Sequence, residues 1–186
     1  MTFVETTVAL CVGMVVMALA LPVTASVVDE GRARHAATFV AARMREAKQR
    51  AVTRAAAAGL VFDRVGTRWV FRVCTDGNAD GLRRADIRSG RDVCPDRAVD
   101  LADLFPGVSV ESDGSIRGPD GDPSSSDPVR FGNSDIASFS PSGRCTAGSL
   151  YLRSTKGARY AIRIAGTTGR LRVLRYDQAS RIWKEQ

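Results

Sequence analysis

The sequence lacks the short motifs that mark many enzyme active sites. It contains no Gly-x-Ser-x-Gly, P-loop, His-Glu-x-x-His or Gly-x-Gly-x-x-Gly motif. Such motifs place a nucleophile, a phosphate cradle, a zinc pair or a dinucleotide-binding turn. The sequence also has a single histidine, His35, and no Cys-x-x-Cys pair, which argues against a metal centre built from these ligands. Nothing nominates a catalytic residue, and we expect a protein that is not an enzyme.

Charge is scarce in the N-terminal segment, residues 1–28, where Glu5 is the only formally charged residue. An apolar run from Val8 to Leu21 follows, and then Pro22. A helix from Thr6 to Val28, rising about 1.5 Å per residue, would cross a hydrocarbon core of about 30 Å. A signal peptide would instead begin with basic residues, and an ordinary anchor would leave an unexplained acid at membrane depth. The segment predicts a transmembrane helix.

The register of this segment resembles that of type IV pilins and type II secretion pseudopilins. The matching residues are Thr2, Val4, Glu5 and Pro22, together with the apolar run. The resemblance implies that residues 1–28 also form a filament core and that Glu5 and Pro22 act in assembly. It further implies that a prepilin peptidase processes the chain and that other pilins or pseudopilins are its partners. Met1 stands where the family has an N-methylated phenylalanine, and the family's basic leader is absent. Met1 is therefore either a candidate for N-methylation or a start assigned too late.

Residues 29–57 predict an amphipathic continuation of the same helix, because good helix formers such as Ala, Arg, Glu, Met and Gln dominate there. Apolar residues recur at helical spacing along one face, at Ala33, Ala36, Ala37, Val40, Met44, Ala47 and Ala51. We expect this face to pack on a sheet and Gly59 to mark the end of the helix.

Residues 58–186 predict a globular domain of antiparallel sheet. β-Branched and aromatic residues between turn glycines indicate strands at Leu60–Asp63, Arg68–Val73, Val108–Glu111, Ile136–Phe139, Ser149–Arg153, Arg159–Ile164 and Leu171–Tyr176. Residues 75–128 are rich in Gly, Asp, Pro and Ser, which predicts a long flexible loop region. The expected fold is α+β and pilin-like: a long N-terminal helix, with a transmembrane half and an amphipathic half, packed on antiparallel β-sheet.

The order of the later motifs resembles the FimT/GspH group of minor pilins and pseudopilins. The helix is followed by a hairpin containing Trp69–Phe71, by Phe139–Arg144, by a strand at Ser149–Leu152 and by Gly169–Arg172. This resemblance implies a single-pass protein of the inner membrane with a periplasmic C-terminal domain. On assembly, the subunit would enter a pilus or a pseudopilus.

A basic C-terminal region suggests an anionic partner. Residues 149–186 hold nine basic and two acidic residues, a net charge equal to the +7 of the whole chain. Gly169–Arg172 matches a Gly-Arg-x-Arg pattern that the resemblance links to DNA binding in FimT-type pilins. On a strand, Arg170 and Arg172 would share one face about 6.6 Å apart, and guanidinium groups bind phosphate. Arg175 is the third candidate, and the alternative is a sheet edge with solvated arginines.

Three functions remain open for a subunit of this kind. The first is a DNA-capturing minor pilin of a type IV pilus. The second is a minor pseudopilin of a type II secretion system, which would contact other subunits or cargo without binding nucleic acid. The third is a structural pilin with no ligand.

Three cysteines lie outside the N-terminal segment: Cys74, Cys94 and Cys145. If that part of the chain is extracytoplasmic, a disulfide is permitted. We prefer the pair Cys74–Cys94, because it would close the polar loop between these residues. One of the three must then stay unpaired.

The polar loop begins like a calcium-binding loop. Asp76, Asn78 and Asp80 place oxygen ligands at alternate positions, and Gly81 supplies the turn. The closing acid is missing, because Ile87 stands at the twelfth position. An aspartate-rich turn without metal is the alternative, and no other cofactor is expected.

Overall fold

The computed structural model describes residues 2–166 and 168–186, and the side chains of residues 16–23 lie outside that description. The helices are α1 (Phe3–Thr53), α2 (Arg84–Ser89) and α3 (Leu101–Leu104). The strands are β1 (Ala58–Val65), β2 (Arg68–Thr75), β3 (Val99–Asp100), β4 (Val108–Val110), β5 (Val129–Arg130), β6 (Ile136–Phe139), β7 (Gly148–Ser154), β8 (Arg159–Ile164), β9 (Leu171–Asp177) and β10 (Ile182–Glu185). The α+β class, with a long N-terminal helix and antiparallel sheets, is confirmed.

The strands form two antiparallel sheets that share one core with α1. The first sheet has the order β3-β2-β1-β6, and the second has the order β10-β9-β8-β7-β4, with β5 also paired to β7. The predicted β1–β2 hairpin is confirmed, with Val65 opposite Arg68 at its turn. Aromatic side chains join the layers in the core, where Phe62 stacks on Phe131 and Phe71 contacts Phe39.

The second half of α1 buries the predicted apolar face. Eight residues of this face have no exposed surface: Ala33, Ala36, Ala37, Val40, Ala41, Met44, Ala47 and Ala51. Alanine has no side chain beyond Cβ, so the helix axis can lie close to the strands it contacts in both sheets. We call these eight residues the alanine face. The sequence identified seven of them from their spacing alone.

The predicted end of the helix, at residue 57 before a stop at Gly59, is wrong. Helix α1 ends at Thr53, and Ala55 takes a left-handed conformation with φ of 51°. Gly59 instead lies in β1, where an added Cβ would come within 2.4 Å of the Ala137 carbonyl oxygen on β6. Glycine is required here because β1 and β6 approach closely. In the sequence, a glycine at this position looks like the end of a helix.

Two acids hold α1 where it leaves the globular domain. The buried carboxylate of Asp29 accepts hydrogen bonds from the Ser154 hydroxyl and, at 3.1 Å, from the backbone N–H of Lys156. The next residue, Glu30, pairs with Arg175 at 2.8 Å. These contacts tie the helix to the β7–β8 turn and to β9, and we call them the neck.

Before the neck, α1 carries apolar side chains with no cover. Phe3 is 84 % exposed and Met14 is 69 % exposed. Among the side chains described there, the other large apolar residues that are exposed are Val4, Val8, Leu10, Val12, Val15, Val27 and Val28. Within the residues described, no helix combines the length and apolar character needed to span a lipid bilayer. The predicted span, residues 1–28, includes positions outside that description.

Residues 75–128, expected to be a long flexible loop region, contain several short elements. These are α2, β3, α3 and β4, together with a 3-10 turn at Pro119–Gly121. Strand β4 confirms the expected strand that begins at Val108. The part after β4 folds back over the second sheet, where the candidate arginines lie.

Candidate functional site

Strand β9 places two of the three candidate arginines, Arg172 and Arg175, on opposite faces of the second sheet. Leu171 and Val173 pack toward α1, whereas Leu174 belongs to a small cluster on the opposite face. Because side chains alternate along a strand, Arg172 points away from α1 and Arg175 points toward it. We call the face turned away from α1 the outer face. The predicted set is therefore not one contiguous site.

Each of these arginines has a carboxylate partner. Arg170, whose side chain is 67 % exposed, pairs with Glu185 of β10 at 3.0 Å. Arg172 binds Asp120 at 2.5 Å. The partner of Arg175 is Glu30 of the neck. An anionic ligand that binds these guanidinium groups therefore competes with a carboxylate.

The outer face brings Arg172 together with two arginines that the sequence did not nominate. Arg163 of β8 is the register partner of Arg172, and Arg159 lies four residues before Arg163 on the same side of the same strand. Their side chains are only 19 to 24 % exposed. We call these three residues the arginine ladder.

An acidic segment covers the ladder. Asp113 pairs with Arg159 at 2.9 Å, and Asp122 pairs with Arg163 at 2.5 Å. Asp120, the partner of Arg172, also lies 3.4 Å from Nε of Arg163. Residues 113–122, which supply all three carboxylates, are called the acidic cover. Their place on the sheet explains why the region after β4 folds back.

Hydrogen bonds keep the first carboxylate of the cover ionised. The hydroxyl and the backbone N–H of Ser115 both donate to Asp113 Oδ1, at 2.6 and 3.0 Å. These bonds hold the pKa of Asp113 below its usual value, and the nearby Arg159 guanidinium lowers it further against the opposing effect of burial. At neutral pH this carboxylate is therefore an anion.

Aromatic side chains lie beside the ladder on the outer face. The ring of Trp183 packs against Tyr151 and Tyr176 at centroid distances of 5.8 and 5.2 Å. Its indole N–H donates to the carbonyl oxygen of Arg117 in the cover at 2.8 Å. On the other side, the guanidinium group of Arg130 lies 4.5 Å from the Tyr151 ring centroid. The cover thus meets both charged and aromatic groups.

The predicted disulfide between Cys74 and Cys94 is confirmed. It closes the loop that follows β2, with Cys74 fully buried. Cys145 is the unpaired one of the three, and its thiol donates to the Ala165 carbonyl oxygen at 3.3 Å. Partial burial raises the pKa of that thiol.

The candidate calcium residues lie inside this disulfide loop. The carboxylate of Asp76 accepts hydrogen bonds from the backbone N–H groups of Asn78, Ala79 and Gly81 at 2.8 to 3.0 Å. Asp80 pairs instead with Arg83 at 3.1 Å. No group of three or more His, Cys, Asp or Glu residues in the described part of the chain is arranged to hold a metal ion. The hydrogen bonds match an aspartate turn, and calcium binding stays a prediction.

The assembly candidates lie at the other end of the molecule. The carboxylate of Glu5 accepts a hydrogen bond from the backbone N–H of Thr2 at 3.4 Å, in the first turn of α1. Met1 and the side chain of Pro22 lie outside the described residues. Their predicted roles in N-methylation and assembly therefore stay predictions.

Comparison of the chain with protein-family models, curated proteins and solved structures found no match. Functional inference therefore rests on geometry at two places. One is the uncovered apolar half of α1. The other is the outer face of the second sheet, with its ladder and cover.

Proposed function

We propose that the chain is a pilin-like minor subunit of a type IV pilus or of a type II secretion pseudopilus. Before assembly, the N-terminal helix would hold it in the inner membrane with the globular domain on the periplasmic side. On assembly, the same helix would enter a filament core beside other pilins or pseudopilins. One observation carries this proposal: the first half of α1 projects from the domain with its apolar side chains uncovered.

The pattern of exposure tells which environment fits this half of the helix. Exposed apolar residues lie on two different sides of the axis, because successive residues differ by about 100°: Val8, Val12 and Val15 on one side, and Leu10 and Met14 on another. A single partner on one side would leave several of them in water. Each fully exposed large apolar side chain forgoes about 1.5–3 kcal/mol of burial. A lipid phase, or a bundle of identical helices, would cover the whole circumference.

Glu5 fits the filament state better than a permanent anchor. An unpaired carboxylate in an apolar bundle is costly, so it needs a cationic partner. In a helical assembly, the free N-terminal amine of a neighbouring subunit would supply one. Replacing Glu5 by Gln keeps the side-chain shape and removes the charge. Assembly of Glu5→Gln at the normal level and rate would contradict this pairing.

Two arginine substitutions in the uncovered half of α1 test the proposal as a whole. Leu10→Arg combined with Met14→Arg puts two charges on one face, each costing about 2.5–3.5 kcal/mol at the centre of a membrane helix. We expect the chain to leave the membrane fraction and to be lost from sheared filaments. The control is Ala42→Arg combined with Gln49→Arg, on the exposed side of the packed half. Equal membrane retention of both double variants would contradict the proposal.

The candidate arginines bear on the choice between pilus and secretion system. Arg170, the most exposed of the three, favours DNA contact by a type IV pilus subunit, whereas its pairing with Glu185 favours a pseudopilin that does not bind nucleic acid. Replacing Arg170 and Arg172 by Gln, and measuring duplex DNA binding against salt, separates these functions. A lower affinity and a shallower salt slope are expected for the DNA-binding pilin. An unchanged affinity and slope would remove the motif from the argument.

A further inference from the structure

We propose that the arginine ladder is a binding site for the phosphates of a nucleic-acid strand, and that the acidic cover occupies this site as an intramolecular competitor. The inference deepens the DNA-binding candidate described above and names the regulation of its outer face. It rests on that candidate but not on filament assembly, so the two can fail separately.

The carboxylates of the cover are spaced like a polyanion on the ladder. Arg159 and Arg163 stand four residues apart on β8, or about 13 Å at strand rise, and Arg172 lies beside Arg163. A single phosphate ion is too small to reach all three guanidinium groups. One continuous segment of chain reaches them with three carboxylates. Guanidinium forks bind carboxylate and phosphate with the same bidentate geometry, so a phosphodiester chain can replace the segment.

The ladder requires an anion on its surface. Arg163 and Arg172 are direct register partners on one face of the sheet, and like charges in such positions repel each other. Asp120 lies between them, at 3.4 Å from Nε of Arg163 and 2.5 Å from Nη2 of Arg172. If the cover lifts without a replacement, the repulsion returns. Exchange of one anion for another is therefore favoured over simple opening.

The cover is attached so that it can lift without unfolding the sheet. Backbone hydrogen bonds join the chain to β7 on either side of it, from Glu111 to Tyr151 and from Tyr151 to Pro128. Between those anchors, the backbone hydrogen bonds found within the described residues stay inside the segment itself. Side chains, and the indole bond of Trp183, hold the middle down. At Gly118 an added Cβ would meet the Tyr151 hydroxyl at 2.6 Å, so the segment lies tight against the sheet.

The aromatic residues beside the ladder complete the site for a strand with free bases. Displacement of the cover would release the Trp183 indole from the Arg117 carbonyl and uncover its ring next to Tyr176. Base stacking on such rings, combined with a basic track for the backbone, is how single strands are bound without sequence preference. A single strand therefore fits this face better than a duplex, whose bases are already stacked.

Competition from the cover predicts weak binding by the unmodified chain. A tethered segment presents its carboxylates at an effective concentration in the millimolar range. Removing their charge should therefore raise affinity without adding any new contact to the nucleic acid.

The test uses the whole chain in a non-ionic detergent and a labelled single-stranded oligonucleotide at low salt. The cover variant carries Asp113→Asn, Asp120→Asn and Asp122→Asn. We expect it to bind about tenfold more tightly or better. Adding Arg163→Gln and Arg172→Gln to it should return the affinity to the unmodified level.

A matched control separates the ladder from a general gain in positive charge. It carries Asp80→Asn, Asp96→Asn and Asp103→Asn, which remove carboxylates paired with Arg83, Arg43 and Arg68 at 3.1 to 3.4 Å elsewhere on the surface. Arg43 and Arg68 keep Glu46 and Asp100 as partners. Its net charge changes by the same amount, and we expect little gain in affinity. Equal gains in affinity for the two triple variants would overturn the proposal. So would a gain in affinity that persists after Arg163→Gln and Arg172→Gln are added to the cover variant. If a duplex of the same sequence binds more tightly than the single strand, the preference for single-stranded nucleic acid is wrong.

A second measurement needs no aspartate substitution, so a folding defect caused by those substitutions cannot affect it. In a Trp69→Phe background, Trp183 is the remaining tryptophan. Saturating oligonucleotide should shift its emission, because the indole loses its bond to the cover and meets a base. Inorganic phosphate should leave the emission unchanged. Oligonucleotide binding without any shift would show that the cover stays in place, and would overturn the proposal.

The cover variant should still assemble, since Leu10 and Met14 are unchanged in it.

Discussion

Two aspartate-rich segments, residues 76–92 and the acidic cover, look alike in sequence but are held in different ways. In the first, Asp76 and Asp92 are 7 % and 2 % exposed, and both accept hydrogen bonds from backbone N–H groups of their own loop. A disulfide closes this loop. In the cover, the carboxylates bind arginine side chains of a distant sheet. The first segment is held by contacts within its own loop, whereas the cover is held by ion pairs with the second sheet.

This difference decides what each segment can do. Buried carboxylates that satisfy their own backbone cannot leave without stranding N–H groups, which is costly. Half-exposed ion pairs with a sheet are weak individually and are screened by salt. A competing anion can therefore reach the cover but not the disulfide loop. The disulfide loop serves structure, and the cover is the segment suited to exchange.

The largest expected effect concerns the disulfide. Replacing Cys74 and Cys94 by serine removes a cross-link between residues 20 apart in sequence, and should lower the free energy of unfolding by about 3 kcal/mol. Urea unfolding measures this change. Cys145→Ser, which breaks no disulfide, is the control. If the double variant also gained affinity for the oligonucleotide, the two segments would be coupled, and the distinction drawn between them would be wrong.

A smaller loss is expected for the aspartate turn. Asp76→Ala leaves three backbone N–H groups without their acceptor, and we expect a loss of about 2 kcal/mol in unfolding free energy. Asp80→Ala removes an exposed pair and should change it by less than about 1 kcal/mol. Equal losses for the two variants would mean that the turn is not held by its own backbone.

Salt should act on the cover and leave the disulfide loop unchanged. Arg117 in the cover and Arg88 in the disulfide loop are both exposed, and trypsin cleaves after arginine. Raising the salt concentration should speed cleavage after Arg117 and not after Arg88. Ion pairs, which salt screens, hold the cover, whereas the disulfide and buried hydrogen bonds to the backbone hold the loop around Arg88 when its own ion pairs are screened. Mass spectrometry of short digests reads both sites. A uniform increase at both would show that salt acts on the protease or on global stability.

The smallest effect is the response of the cover to pH. The pKa of Asp113 is lower in the folded chain, chiefly through hydrogen bonds from Ser115. Its contribution is therefore present above the unfolded value of about 3.9, and is lost as the pH falls through the lower folded value. Emission of Trp183 in the Trp69→Phe chain should stay constant from neutral pH to about 5 and change only in stronger acid. A change near pH 6 would point to a different group.

Sequence reasoning predicted the elements whose signals are local. Helical spacing identified seven residues of the alanine face, and β-branched and aromatic residues between turn glycines identified most strands. A polar loop between Cys74 and Cys94 identified their disulfide. Gly59 misled the prediction of the helix end, because the contact that requires glycine there comes from β6. That strand begins more than seventy residues later in the chain, so nothing next to Gly59 reveals the contact.

The outer face could be predicted only in part. The Gly-Arg-x-Arg pattern nominated Arg172, but the predicted set also included Arg175, which the strand turns to the opposite face. Counting back across the β8–β9 turn would have placed Arg163 opposite Arg172. The carboxylates of the cover lie 41 to 52 residues away from their arginines in sequence. Such pairing depends on the path of the chain over the sheet, for which the sequence has no local pattern.

The alanine face also has a mechanical consequence. Helix α1 is continuous for 51 residues, a rod of about 75 Å. A pulling force on its N-terminal end would reach the globular domain first at the neck, where Asp29 is hydrogen-bonded to Ser154 and to the β7–β8 turn. From there the load would spread as shear along a helix that touches both sheets. Hydrogen bonds at a sheet edge can be opened one at a time, whereas a sheared interface must slip as a whole. A pull on the helix would therefore load the whole helix–sheet interface at once.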